Sequence, residues 1–218
     1  MKVSFISFFF VTLFSISFFS CTEEAVKICQ NSFEDPRDGT IYCIQEIGNQ
    51  TWFAENLAFV TDSSYLNPLN PEDIQSPFGR LYTFDDAQIA CPDGWHLPSD
   101  AEWKILENYI GINSLVIDDL NERGTDQGNT LKSTDYWVNG SDTLDNRNLH
   151  GFNAFPAGEW NPSYGPFFGL YERASFWTST VYDSSTAGII RRLDDNTNAV
   201  IRSYYSKKMG FSCRCIQD

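Results

Sequence analysis

The sequence predicts an α+β fold. Two helical patterns lie in its first half, at residues 83–91 and 99–110. Period-two alternation marks strands near 41–53 and again from 175 onward, and the stretch between is long and irregular.

Residues 38–59, DGTIYCIQEIGNQTWFAENLAF, open on an Asp38-Gly39 turn signal. Ile41, Cys43, Gln45 and Ile47 alternate with Tyr42, Ile44 and Glu46. Gly48-Asn49 then separates this run from Thr51-Trp52-Phe53, so a β-hairpin is expected. Residues 60–77 hold three prolines among Ser, Asn and Asp and read as loop.

Thr83 is placed to cap a helix, with Asp86 three residues on at the positive end of its dipole. Phe84, Ala87 and Ala90 share one face, and Pro92-Asp93-Gly94 ends the helix. Ser99-Asp100-Ala101-Glu102 has the form of a capping box, in which each end residue satisfies the other's backbone amide. Trp103, Leu106 and Ile110 follow at helical spacing, while Trp95 and Leu97 are expected to plug the corner into the core.

Residues 111–150, rich in Asn, Asp, Gly and Ser, read as loops with little regular structure. Residues 151–175 mix aromatics with Pro and Gly, the pattern of an irregular loop pinned by buried rings. SFWTSTVYD (175–183), GIIRRLDD (188–195) and AVIRSYY (199–205) alternate like strands, and GFSCRCIQD (210–218) reads as a last short strand.

Composition narrows the classes. With 42% hydrophobic and 20% charged residues the body is globular rather than disordered. A net charge of −14 repels phosphate backbones, so no nucleic-acid partner is expected. Residues 1–20, MKVSFISFFFVTLFSISFFS, place one Lys before an apolar run, the layout of a secretory signal. A retained membrane anchor is the rival reading of that run. Phe18-Phe19-Ser20-Cys21 resembles a bacterial lipobox, which makes 1–20 a lipoprotein signal peptide and Cys21 the lipidated residue. Residues 21–32 are then a tether and 33–218 a single domain. The membrane is expected as a partner only through the lipid. Thr22-Glu23-Glu24 resembles the acidic stretch that sends some Bacteroidetes lipoproteins to the outer face of the outer membrane. Export implies a compartment where disulfides persist.

Six segments carry a resemblance to one family. RDGTIYCIQEIGNQTWFAENL, GRLYTFDDAQIACPDGWHLPSDAEW, LKSTDYW, FNAFPAGEW, FWTST and GFSCRCIQD occur in the order and spacing of the Fibrobacter succinogenes major paralogous domain, over roughly 33–218. Its members are mostly exported proteins and lipoproteins of Bacteroidetes and Fibrobacteres, without an established general activity. GWHLPSDAEW also resembles a segment of the formylglycine-generating enzymes. The resemblance therefore implies a C-type lectin-like domain, with paired terminal strands, two helices and long irregular loops. It also implies a disulfide between Cys91, at the end of the first helix, and Cys215, in the last strand. Cys29 with Cys43 is the second expected pair, with Cys213 as a buried free thiol. Cys43 with Cys213, leaving Cys29 free, is the rival.

The candidate sites follow. Cys213-Arg214-Cys215 raises the copper chemistry of the formylglycine-generating group, but its spacing is tighter than theirs and fold-level analogy does not transfer a site. His96 and His150 lack the further ligands that zinc needs, and His96 reads as a packing or capping residue. Calcium is weighed at Asp194, Asp195, Asn196 and Asn198, and at Asp142, Asp145 and Asn146. A hairpin turn explains the first cluster, and no cofactor is expected. The favoured ligand site is the aromatic stretch with Trp160, Tyr164, Phe167, Phe168 and Tyr171 beside Glu159, Asn161 and Arg173. Exposed rings next to polar groups grip sugars and anchor protein interfaces, although such rings also fill cores under long loops. The expectation is a non-catalytic surface module that binds a glycan or an envelope or host protein. A formylglycine-type oxidoreductase and a structural envelope component are the alternatives.

Overall fold

The computed structural model describes residues 29–67, 77–138, 146–163, 165–183 and 186–218. Cys21, the leader, and Asp142 and Asp145 lie outside the described residues. So does Tyr164.

The described chain is strand-dominated α+β. The strands are β1 (Ser32–Glu34), β2 (Ile41–Ile47), β3 (Gln50–Phe53), β4 (Ser64–Tyr65), β5 (Leu81–Tyr82), β6 (Trp95–His96), β7 (Asn121–Arg123), β8 (Glu159–Asn161), β9 (Gly165–Phe168), β10 (Arg173–Val181), β11 (Ala187–Asp194), β12 (Val200–Ser206), β13 (Phe211–Ser212) and β14 (Ile216–Gln217). Three helices join them: α1 (Phe84–Ala90), α2 (Asp100–Tyr109) and α3 (Gln127–Leu131). One sheet runs β1-β2-β3-β14-β6, a second runs β4-β5-β13-β10-β11-β12-β7, and β8-β9 is a separate hairpin.

The expected first hairpin forms, with Ile44 opposite Phe53 and Ile47 opposite Gln50. Ile216 of β14 pairs with Trp52, so early and late strands close together. The closing segment is two strands rather than one. β13 pairs parallel with β10, and β14 joins the other sheet. Cys213-Arg214-Cys215 therefore crosses between the sheets. Arg214 is fully buried there, with the Glu55 carboxylate near enough to act on its charge. It donates to the carbonyls of Phe53 (3.1 Å), Phe152 and Asn153 (3.2 Å) and to Oδ1 of Asn56 (2.7 Å). Its guanidinium lies 4.5 Å from the Phe152 ring centre. Burial pushes its pKa down to about 9.

Helix α1 buries Phe84, Ala87 and Ala90 as the pattern predicts, but Thr83 makes no side-chain cap. The first-turn carboxylate of Asp86 instead accepts from the amide of Ser63 at 2.7 Å, tying down the loop that holds β4. Helix α2 has the full capping box, with Glu102 N to Ser99 Oγ at 3.2 Å and Ser99 N to Glu102 Oε2 at 2.7 Å. Its inner face carries Trp103 and Leu106 and also a buried acid, Glu107.

Glu107 is the centre of an ion network under α2. Both its oxygens bind Arg123 at 2.7 Å, and Oε1 also binds Nε of Arg191 at 2.5 Å. Arg191 reaches Asp100 at 2.8 Å, and Arg202 forks onto Asp100 at 2.8 and 2.9 Å. Burial opposes the Asp100 charge, but Arg202, Arg191 and Lys104 hold its carboxyl well below the usual range. These pairs fasten α2 to β7, β11 and β12. Two readings of loop are refined by the strand pairings. Residues 60–77 contain β4, and 111–150 contain β7 and α3. β4 pairs with β5 and β7 with β12, and this pairing overrides weak local propensity.

The core has a main cluster around Trp52, Trp103, Phe152 and Phe176 and a second around Phe53, Trp95, Trp177 and Cys215. No described helix is long and apolar enough to cross a membrane.

Candidate functional site

The corner between α1 and α2 is a structural joint. Cys91 is bonded to Cys215, with Cα atoms 5.9 Å apart, and Cys29 is bonded to Cys43. Cys213 is the free, buried thiol, its pKa raised by burial. Cys213 and Cys215 therefore do not form a thiolate pair. Trp95 and Leu97 are buried, with Trp95 4.4 Å from Phe53. His96 bridges two acids, with Nδ1 2.7 Å from Asp218 Oδ1 and Nε2 2.8 Å from Glu102 Oε1. Partial burial opposes its charge, but these two hydrogen bonds raise its pKa above the ordinary value. It ties the capping box to the last residue.

The aromatic stretch forms the hairpin β8-β9, and most of its groups pack. Trp160 is half-buried and stacks on Tyr65 of β4, with centroids 3.8 Å apart and planes 13° from parallel. Tyr171 has a φ of 67° and sets its edge against Phe78 at 5.7 Å. Phe167 packs on the small cluster of Phe78, Leu81 and Phe155. Gly158 sits so close to this hairpin that a Cβ there would lie 2.5 Å from the Phe168 carbonyl oxygen.

Glu159 does not face solvent. It is 2% exposed and accepts from Ser175 Oγ at 2.5 Å, and burial raises its pKa against the pull of Ser175 and Arg173. Asn161 accepts from the amide of Ser163. Phe168 and Arg173 reach the surface together, with the guanidinium 5.7 Å from the ring centre. Among the described rings of this stretch Trp160, Phe167, Phe168 and Tyr171 thus keep partial exposure, Phe168 beside Arg173 at the start of β10.

Of the oxygen-rich turn, Asp194 is mostly buried and pairs with Arg192 at 3.0 Å and Arg173 at 3.8 Å. The carbonyl of Asn198 accepts from the Gly128 amide. Residues 195–199 form the β11–β12 turn. Among the described residues no three His, Cys, Asp or Glu side chains converge as metal ligands.

A second surface feature was not singled out from the sequence. The end of β2, the last residue of α2 and the segment before Phe152 enclose an open cleft of about 300 Å³. Gln45, Glu46, Tyr109, His150 and Gly151 line it. Tyr109 is 56% exposed and meets His150 edge-on at 5.6 Å. Gly48, at φ 64°, allows this placement, since a Cβ there would lie 2.9 Å from Tyr109 Cδ2. Burial lowers the His150 pKa, which keeps the ring neutral at pH 7. The pieces come from residues 45–48, 109 and 150, so no local motif announces them.

The sequence profile of the Fibrobacter succinogenes major domain matches residues 46–217, well over half of the chain. The chain belongs to the Fibrobacter succinogenes major domain family. No curated protein and no solved structure matches it. The family match runs from Glu46 in β2 to Gln217 in β14. It takes in the corner, the aromatic hairpin and most of the cleft. In this member, β1, most of β2 and the Cys29–Cys43 bond precede the match yet belong to the same sheet.

Proposed function

We propose that this family member is a non-catalytic binding module, exported and held at the outer membrane by lipid on Cys21. Its ligand is a glycan or an envelope or host protein. One observation carries the proposal. At the corner Cys91 and His96 are engaged in the fold, and at the sheet crossing Cys215 is bonded and Cys213 buried, whereas Trp160 and Tyr109 keep partly exposed rings beside polar groups. Aromatic anchors next to polar groups are the usual currency of recognition surfaces. A lectin-like lineage is part of the proposal. It is supported by the closure of β3 on β14 and by the bond from the end of α1 to Cys215.

The test is a glycan array run beside capture from envelope extract. Wild type is expected to retain a ligand in one of them, with the loss mapped by Trp160→Ala and Tyr109→Ala. Clean negatives in both refute the proposal. Globomycin sensitivity of processing and radiolabelled palmitate incorporation, lost in Cys21→Ala, test the anchor. An activity assay with cysteine-containing peptide, copper and oxygen tests the formylglycine-type alternative, and no turnover is expected. Copurification of the protein in a fixed envelope complex, with no ligand in either screen, would instead favour the structural role.

A further inference from the structure

We propose that the cleft lined by Gln45, Glu46, Tyr109, His150 and Gly151 is a subsite for an uncharged pyranose ring. The proposal rests on the binding function above and names a ligand class for it.

The cleft has the right chemistry on each side. A pyranose has an apolar face of C–H bonds and a rim of hydroxyls. The exposed Tyr109 ring supplies a flat π-face for the first. It is held from two sides, by Gly48 near Cδ2 and by the near-perpendicular His150 ring with centroids 5.6 Å apart, so little order remains to be imposed on binding. Gln45 and His150 supply donors and acceptors for the second. Gln45 Nε2 already donates to the Glu46 carbonyl, which fixes the amide with Oε1 against Gly151. Among the described residues the His150 ring nitrogens and the Tyr109 hydroxyl have no hydrogen-bond partner. A side-chain amide and a neutral imidazole suit sugar hydroxyls, which both donate and accept.

The charge argues for a neutral ligand. The lining residues include no Lys or Arg, on a chain of net charge −14. Phosphate esters and uronic acids meet repulsion there. The size fits as well, since about 300 Å³ is at the small end of ligand pockets.

The experiment is saturation-transfer NMR and calorimetry on the full chain in detergent. The probes are glucose, galactose, mannose, N-acetylglucosamine and their disaccharides, up to about 10 mM, with glucuronate as the charged control. At least one neutral sugar is expected to bind. Tyr109→Ala should weaken it by about tenfold or more, and His150→Ala should weaken it less, both with unchanged melting temperature. Trp160→Ala should leave it unaffected, and glucuronate should not bind.

Absence of binding by every neutral sugar overturns the proposal, as does binding that survives Tyr109→Ala or glucuronate binding as well as glucose. Sugar binding abolished by Trp160→Ala but kept by Tyr109→Ala overturns this subsite and leaves the glycan-binding function standing. Protein capture without sugar binding also overturns the subsite alone.

Discussion

Replacing Glu107 by Gln should be among the most damaging single changes in this fold. Glu107 has no solvent exposure and accepts three hydrogen bonds, two from Arg123 at 2.7 Å and one from Arg191 at 2.5 Å. Gln keeps the shape but removes the charge and turns a donor amide toward donor guanidiniums. Arg191 retains Asp100, yet Arg123 is left buried with the single Gln oxygen and the Ile117 carbonyl at 2.7 Å as acceptors, and its charge unbalanced. Removing one member of a buried pair costs about 3–5 kcal/mol because an uncompensated charge stays inside. For a domain of this size that is a fall in Tm of roughly 6–20 °C. Urea denaturation at pH 7 reads it as a lower midpoint at constant slope. Lys104→Ala is the control. It loses the Lys104–Asp118 contact, whose acid is 80% exposed, and one of several partners of Asp100. It should cost no more than about 1 kcal/mol. If Glu107→Gln costs no more than Lys104→Ala, the network does not fasten α2 to the sheet as described.

Three further outcomes are expected. The Cys91–Cys215 bond closes 124 residues and Cys29–Cys43 closes 14. Loop entropy then makes removal of the first by double Ala substitution cost about 5 kcal/mol and of the second about 3 kcal/mol, and the reverse order in denaturation would count against this. His96 has a raised pKa in the fold, so its contribution is complete below its ordinary pKa of 6.5 and is lost as pH rises through the folded value. The stability gap between wild type and His96→Gln should therefore narrow between mildly acidic and alkaline pH, and a gap that widens would contradict the bridge. Arg214→Lys should destabilise by about 3 kcal/mol or more, since an ammonium cannot reach the spread of acceptors that the planar fork serves. Calorimetry showing a shift within error would refute that role.

The sequence made some of this legible because the determinants are local. The capping box at Ser99–Glu102 and the Gly48-Asn49 hairpin depend on neighbours a few residues apart. The Cys91–Cys215 bond was legible through family likeness, and Cys29–Cys43 through closeness in sequence, with Cys43–Cys213 left open as its rival. Other features depend on distant partners and gave no local sign. Glu107 looks like an ordinary exposed acid until Arg123 and Arg191 arrive beneath it. Tyr65 sits in a proline-rich loop, yet it covers a face of Trp160. The binding candidate shifted for the same reason. Residues 158–173 looked like a ring-rich surface, but Glu159 is buried and Tyr171 rests on Phe78. Tyr109 read as one more helix residue, and the cleft exists only because β2, α2 and His150 meet.

The central claim is recognition through partly exposed rings on a rigid frame. Its most direct test is glycan-array and extract-capture binding by wild type, Trp160→Ala and Tyr109→Ala, with melting temperatures measured alongside. The account predicts that at least one substitution abolishes binding while the melting temperature stays unchanged. Equal binding by all three proteins, or binding lost only where the fold is lost, would contradict it.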